Sequence, residues 1–147
     1  MKKYLLLFLF SQIFHAQENA LVRQNDKFGY INKTGNFSIE PQYKVAKNFS
    51  DGLAAVEKDG KWGFINTKGE MVIAPIYSNA KYFNSGICVV EKDKKWFYIN
   101  KKGEELKMPA SDKVYDFEDG VAFIKVSDKV GLINPKGEII VQPTYQV

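Results

Sequence analysis

The chain has 147 residues, of which 45% are hydrophobic and 26% are charged, and its formal net charge is +4. This balance is typical of a globular protein and excludes a disordered or fibrous chain, while the length favours a single domain. Eleven phenylalanines and eight tyrosines lie with β-branched residues in short runs. Such runs, separated by glycine and proline, favour an all-β fold over a helical bundle.

The first sixteen residues have the pattern of a signal peptide. Lys2 and Lys3 precede an apolar run at residues 4–10, and a short exit segment ends at Ala16. The run is shorter than a membrane-spanning helix requires. We therefore expect cleavage between Ala16 and Gln17, a periplasmic or extracellular location, and no stable membrane span in the mature chain. An uncleaved anchor is the alternative.

The mature chain offers few residues for catalysis or metal binding. Its lysines are spread among acidic residues, whereas a nucleic-acid site needs a concentrated positive face, so nucleic acid is not expected as a partner. His15, the one histidine, falls in the leader, and Cys88 is the one cysteine. Histidine acid–base chemistry and cysteine or histidine zinc sites are thereby excluded. We expect no catalytic residue, no metal and no cofactor, and hence no enzyme activity.

A pattern of 34 residues repeats along the chain. The six residues from Lys61 to Asn66 have counterparts at 27–32, 95–100 and 129–134, and columns of glycine and proline recur at the same spacing. Self-similarity at a fixed period is typical of a repeat protein. The repeated positions to which we assign a structural role are Phe28, Gly29, Gly35, Pro41, Trp62, Gly63, Gly69, Pro75, Trp96, Gly103, Pro109, Gly131, Gly137 and Pro143.

Each unit predicts three strands. In the second unit, strand one covers residues 53–57 and ends at Asp59-Gly60, a strong two-residue hairpin signal. Strand two is the Trp-Gly stretch, and it ends at a turn where Gly69 supplies a positive φ. Strand three covers 71–73 and continues to Pro75. Ordering the backbone of 34 residues costs on the order of 34–68 kcal/mol, far more than the few aromatic side chains of one unit return, so the units must stack on each other.

These motifs resemble the WG-repeat family, whose members carry tandem copies of Lys-Trp-Gly-[Phe/Leu]-Ile-Asn, a glycine turn and an Ile-x-Pro-x-Tyr strand. The resemblance covers about residues 20–147. It implies a bacterial, exported repeat protein without a generally assigned activity. We expect one domain at 17–147 with units at about 20–52, 53–86, 87–120 and 121–147, stacked in an open twisted array. A four-bladed, propeller-like ring is the alternative.

The third unit departs from the pattern. Phe97 stands at a glycine position, Lys107-Met108 stands where Ile-x is expected before the proline, and Ser111 replaces tyrosine. Local rule breaking can mark a functional surface. A contact site in this unit and tolerated drift of a redundant repeat are the two interpretations.

Other candidate sites each have a simpler structural interpretation. Trp62, Trp96 and the repeated tyrosines are expected in the core, with an exposed sugar-binding strip as the alternative. Cys88 occupies a small apolar position, and the acidic loop 116–120 is expected to be solvated rather than to bind calcium. The repeated Lys61 and Glu70 positions suggest cross-strand ion pairs.

The function expected from the sequence is a non-catalytic, exported β-repeat scaffold that mediates protein or cell-envelope interactions. Its partner would be a protein or an envelope polymer, and no ligand-binding residue can be assigned. The alternative is a carbohydrate-binding module that uses exposed aromatic residues.

Overall fold

The computed structural model describes residues 19–146, which form β-strands, turns and loops. The strands in chain order are β1 (Ala20–Gln24), β2 (Lys27–Ile31), β3 (Phe37–Tyr43), β4 (Leu53–Lys58), β5 (Lys61–Asn66), β6 (Met71–Tyr77), β7 (Asn79–Ala80), β8 (Ile87–Lys92), β9 (Lys95–Asn100), β10 (Ala122–Val126), β11 (Lys129–Ile133) and β12 (Ile139–Gln146). They build four three-stranded antiparallel sheets, each from three consecutive strands. None of these sheets closes into a barrel, and the expected all-β array of tandem repeats is confirmed.

The first turn of each unit is a tight two-residue hairpin. In the second unit Asp59 and Gly60 have φ values of 53° and 74°, the positive pair that a type I′ turn requires. Asn25 and Asp26 also have positive φ, as does Ser127 in the fourth unit. The turn matches the twist of the strands, and it fixes the register of β4 on β5.

The second turn of each unit is organised by an asparagine. The side-chain oxygen Oδ1 of Asn66 accepts hydrogen bonds from the backbone N–H groups of Lys68 and Glu70, both at 3.0 Å. Gly69 has a φ of 82°, and its N–H donates to the Asn66 carbonyl oxygen at 2.9 Å. The asparagine thus replaces backbone partners that the turn would leave unsatisfied.

Strands two and three approach each other unusually closely at the repeated glycine. Trp62 lies opposite Tyr77 and Phe64 opposite Ile73, so one residue of β5 faces three residues of β6 in a bulge. A β-carbon on Gly63 would lie 2.6 Å from the Ile73 carbonyl oxygen and 2.8 Å from the Pro75 nitrogen. The glycine admits the bulge, and the proline sits where no ladder hydrogen bond is needed.

The third unit does not form the third strand that the repeat predicts. Beyond β9, the bridge between Ile99 and Glu105 continues the pairing, and residues 106–117 form no strand. Phe97 fills the position where Gly63 admits the bulge, which prevents the same close approach of backbone. Pro109 therefore lies outside a strand, and the sheet gains β7 on the other side of β8 instead.

Consecutive units are joined by backbone hydrogen bonds as well as by packing. The segment after β3 runs beside β4, and the segment after β6 runs beside β8. Lys47 N–H donates to the Ala55 carbonyl oxygen at 2.9 Å, and Lys81 N–H donates to the Val89 carbonyl oxygen at 2.9 Å. Each sheet is thus extended by its neighbour, which shields an edge that would otherwise be open.

Three apolar cores lie between successive sheets. Phe64 faces the third sheet, where its ring meets Phe83 edge-on at 4.9 Å between centroids, and Ile65 faces the first sheet. The third core joins Tyr98 of β9 to Ile124 of β10. Among residues 19–146 no such core joins the first sheet to the fourth, so the array is open. Each unit supplies an apolar wall that its neighbour needs, as repeat proteins require.

Candidate functional site

The two tryptophans occupy equivalent positions but different environments. Trp62 is half-buried against the core between the second and third sheets, with Tyr77 opposite it across the strands. Trp96 is 37% exposed, so the expectation that it lies in the core does not hold. Ser111 occupies the position that corresponds to Tyr77. Among residues 19–146, the third sheet also has no strand on the far side of β9 from β8 that would place a residue opposite the indole as β6 places Tyr77. Loss of this cross-strand cover leaves Trp96 more exposed than Trp62.

A lysine covers the aromatic rings of the second unit. The Nζ of Lys47 lies 5.2 Å from the Trp62 ring centroid and 5.3 Å from that of Tyr82. It also donates a hydrogen bond to the Ala80 carbonyl oxygen at 2.6 Å. Burial lowers the pKa of this lysine, and the cation–π contacts offset part of that cost. This aromatic site is therefore occupied by the protein itself.

The equivalent lysine of the third unit is held less closely. Lys81 Nζ lies 5.9 Å from the Trp96 ring centroid and pairs with Asp116 Oδ2 at 2.9 Å. Both members of this ion pair are well exposed, so the pair contributes little to stability. The lysine is turned toward the carboxylate, which leaves room beside the indole for another group.

The space beside the Trp96 indole forms a surface cleft of about 610 Å³, here named the Trp96 cleft. Its lining combines one indole, three lysines, one carboxylate and two uncharged residues. These residues are Lys81, Lys95, Trp96, Ser111, Asp112, Lys113 and Val114. A second cavity of about 630 Å³ shares Lys95 and Trp96 with it. The aromatic ring thus stands in the wall of two neighbouring depressions.

The lining of the cleft presents a hydroxyl, an aromatic ring and charged groups. Ser111 Oγ donates to the Lys113 carbonyl oxygen at 2.7 Å and accepts from the Lys125 N–H at 2.9 Å. A hydroxyl held by backbone partners in this way is a poor nucleophile. The indole offers a flat apolar face, and the ammonium groups offer donors to polar or anionic groups.

Cys88 lies in the core between the second and third sheets. It is 1% exposed, as its small apolar position predicts. Burial raises the pKa of its thiol to about 12. Because the thiolate is the reactive form, this cysteine has a structural role.

The charged columns do not form the expected cross-strand ion pairs. Glu70 Oε2 instead accepts a hydrogen bond from Asn66 Nδ2 at 2.7 Å, and Glu104 and Glu138 contact their asparagines in the same way. The prediction that glutamates pair with the lysines of strand two is wrong, because the turn brings the asparagine closer. In the acidic loop, Asp116 binds Lys81. Within residues 19–146 no three His, Cys, Asp or Glu side chains lie close enough together to hold a metal ion.

The sequence singled out the irregular third unit and, among the residues that line the cleft, Trp96 and Ser111. Apart from Pro109, the glycines and prolines with an assigned structural role lie at turns and bulges. Lys81 and Lys113 were missed, because neither follows a motif that marks a binding residue. The sequence feature that indicated this region was Ser111, a polar residue at a tyrosine position in the unit that also has the irregular Phe97.

The leader predicted at residues 1–16 lies outside the described residues. Between residues 19 and 146, the chain contains no helix of the length and apolarity needed to cross a membrane.

The fold defines an all-β tandem-repeat protein with a surface cleft on its irregular third unit. The family described as WG containing repeat matches the chain four times in succession, at residues 28–62, 62–96, 96–129 and 131–147. The chain belongs to this family. Comparison with curated proteins finds no match.

Proposed function

We propose that this protein is a non-catalytic, exported scaffold that binds a protein or a cell-envelope polymer through the Trp96 cleft. The observation that carries the proposal is the difference between the two tryptophans. Lys47 and Tyr77 cover Trp62, whereas Trp96 is 37% exposed beside a depression. A large ring left open next to cationic donors suits a site that is completed by a partner.

Site-specific photo-crosslinking tests this proposal in the cells that make the protein. A photoreactive phenylalanine placed at Ser111 lies in the cleft, and one placed at Val126, which is 45% exposed, is the matched surface control. We expect adducts from position 111 and none from position 126. Absence of adducts from position 111, or equal labelling from both, would contradict the assignment of the cleft.

Export is tested separately from binding. The basic residues and apolar run at the start of the chain support cleavage after Ala16. We expect the accumulated protein to begin at Gln17 and to be recovered outside the cytoplasm. A chain that retains its first sixteen residues in the cytoplasm would refute this part of the proposal and leave the cleft assignment intact.

Carbohydrate binding is the second candidate function. It is favoured by the flat face of Trp96 within reach of Lys95, Lys113 and Asp112, because sugars stack on aromatic rings and exchange hydrogen bonds with charged side chains. Titration with neutral and acidic oligosaccharides should change tryptophan fluorescence and favour the acidic ones. Trp96→Ala should abolish the response, and Lys47→Ala, which alters the covered site of the second unit, should not. A flat response to all of them would remove this candidate.

A further inference from the structure

The outer side of the fourth sheet exposes side chains that are buried in the earlier units. Phe123 is 52% exposed, whereas Val89 at the same position of the third unit is 2% exposed. Tyr145 is 65% exposed, whereas its counterpart Tyr77 is 3% exposed. Leu132 and Val141 between them are half-buried. These four residues, the tail face, form an apolar wall that no described residue covers as the third unit covers the second.

The outer side of the first sheet carries the counterparts of the apolar residues that, in the second unit, pack onto the preceding sheet. In the second unit, Ala54, Val56 and Ile65 are fully buried because they pack onto the first sheet. Their counterparts in the first unit are Ala20, Val22 and Ile31, here named the head face. Within the described part of the chain, Ala20 is exposed and the other two are half-buried.

The repeated glycines of the second turns show where one unit packs on the preceding unit. A β-carbon on Gly69 would lie 3.2 Å from the Ile39 side chain, and one on Gly103 would lie 3.1 Å from that of Ile73. The second turns of the second and third units therefore rest on the third strand of the unit before them, and Gly137 of the fourth unit lies against Met108 of the third unit. A β-carbon on Gly35 would meet nothing within 4 Å among residues 19–146. Val141 of β12 occupies the position of Ile39 and Ile73. The first unit therefore offers a glycine, Gly35, on which no described side chain packs, and the fourth unit offers the type of side chain that packs on the corresponding glycine in the second and third units.

We propose that the tail face of one molecule packs on the head face of a second copy, continuing the repeat across the boundary between molecules. The occupant is a second copy because the two faces are the two halves of an interface that recurs inside the chain. Joining Phe123 and Tyr145 to Val22 removes apolar surface from water on both partners. A contact between different faces is heterologous, so it adds molecules in one direction and yields a closed ring or a filament.

The two faces share no residue with the lining of the Trp96 cleft, so this association is tested separately from binding there. Sedimentation velocity over a range of concentrations measures it on the purified protein, in the form that cells accumulate. The mean mass should rise with concentration beyond a dimer. A protein that stays monomeric up to millimolar concentration would overturn the proposal.

Two complementary variants identify the faces. Phe123→Glu disrupts the tail face and leaves the head face unchanged, whereas Val22→Glu disrupts the head face and leaves the tail face unchanged. Each variant alone should be monomeric, whereas an equimolar mixture should form heterodimers and nothing larger. Self-association of Val22→Glu alone would reveal a tail-to-tail contact and overturn the head-to-tail arrangement. The matched control Val126→Glu, placed at the hairpin end of the same strand as Phe123, should assemble like the unaltered protein.

Hydrogen–deuterium exchange of the unaltered protein provides a test that does not depend on the variants folding. At high concentration, exchange should slow together in the segments that carry the two faces, β1 and β12, relative to low concentration. Slowing in neither segment, or in one of them alone, would overturn the proposal.

Discussion

The carbonyl oxygen of Ile73 packs directly against the α-carbon of Gly63, leaving no room for a side chain between β5 and β6. The same contact joins Gly29 to Ile39 in the first unit and Gly131 to Val141 in the fourth. The glycine of the Trp-Gly motif is therefore required by the close approach of two strands rather than by an unusual φ. Phe97 occupies this position in the third unit, where the third strand is absent.

Gly63→Ala should lower the free energy of unfolding by about 3 kcal/mol, because the new methyl group overlaps backbone that can move only by opening the bulge. Urea unfolding followed by circular dichroism measures the change. The control is Phe97→Ala, which places the same residue at the same position of the third unit. It should cost only about 1 kcal/mol, from lost packing. Equal losses would show that the approach of β6 does not explain the glycine.

The two tryptophans should differ in their contribution to stability. Trp62→Ala removes a half-buried ring that packs on the core and on Lys47, so we expect a loss of about 2–4 kcal/mol. Trp96→Ala removes a more exposed ring and should cost less, about 1–2 kcal/mol. Chemical unfolding of both variants gives the comparison. A larger loss from Trp96→Ala would contradict the description of that indole as the more exposed of the two.

Asn66 should be more important for stability than its surface position suggests. Asn66→Ala deletes the acceptor of two backbone hydrogen bonds and the donor to Glu70, so we expect a loss of about 1–2 kcal/mol. Glu70→Ala removes the side-chain partner alone and should cost no more than about 0.5 kcal/mol. Thermal melts monitored by circular dichroism distinguish the two. If both variants melt together with the unaltered protein, the asparagine does not hold the turn.

Cys88 should make stability depend on pH above the neutral range. Burial raises the pKa of its thiol from 9.0 to about 12 in the folded state, so the unfolded chain loses this proton first as pH rises. The contribution of this group is therefore complete below pH 9 and is lost progressively between pH 9 and 12. Urea unfolding at several pH values should show a steeper alkaline fall in the unaltered protein than in Cys88→Ala. Alanine is the residue at the same position in the second and fourth units, which makes this variant a close structural match. Parallel pH profiles would contradict a buried neutral thiol.

Much of the fold follows from local signals in the sequence. The period of 34, the Asp59-Gly60 hairpin and the asparagine turn are all readable, because each depends on backbone geometry within a few residues. The alternation along β5 also predicts correctly that Trp62 and Phe64 lie on one face of the sheet and Ile65 on the other. Stacking follows in turn, because one unit buries too little apolar surface to offset the entropy of ordering its chain.

The candidate site depends on contacts between distant positions, and the tertiary structure alone decides these. Trp62 and Trp96 have the same sequence context, yet Lys47 and Tyr77 cover Trp62 closely, whereas Lys81 lies farther from Trp96 and no described tyrosine lies opposite that indole. Tyr145 likewise repeats Tyr77 in sequence but is exposed on the fourth sheet. A motif specifies where a side chain points relative to its own strand. The partner that covers it comes from another strand or the next unit, so burial is settled only when the sheets pack.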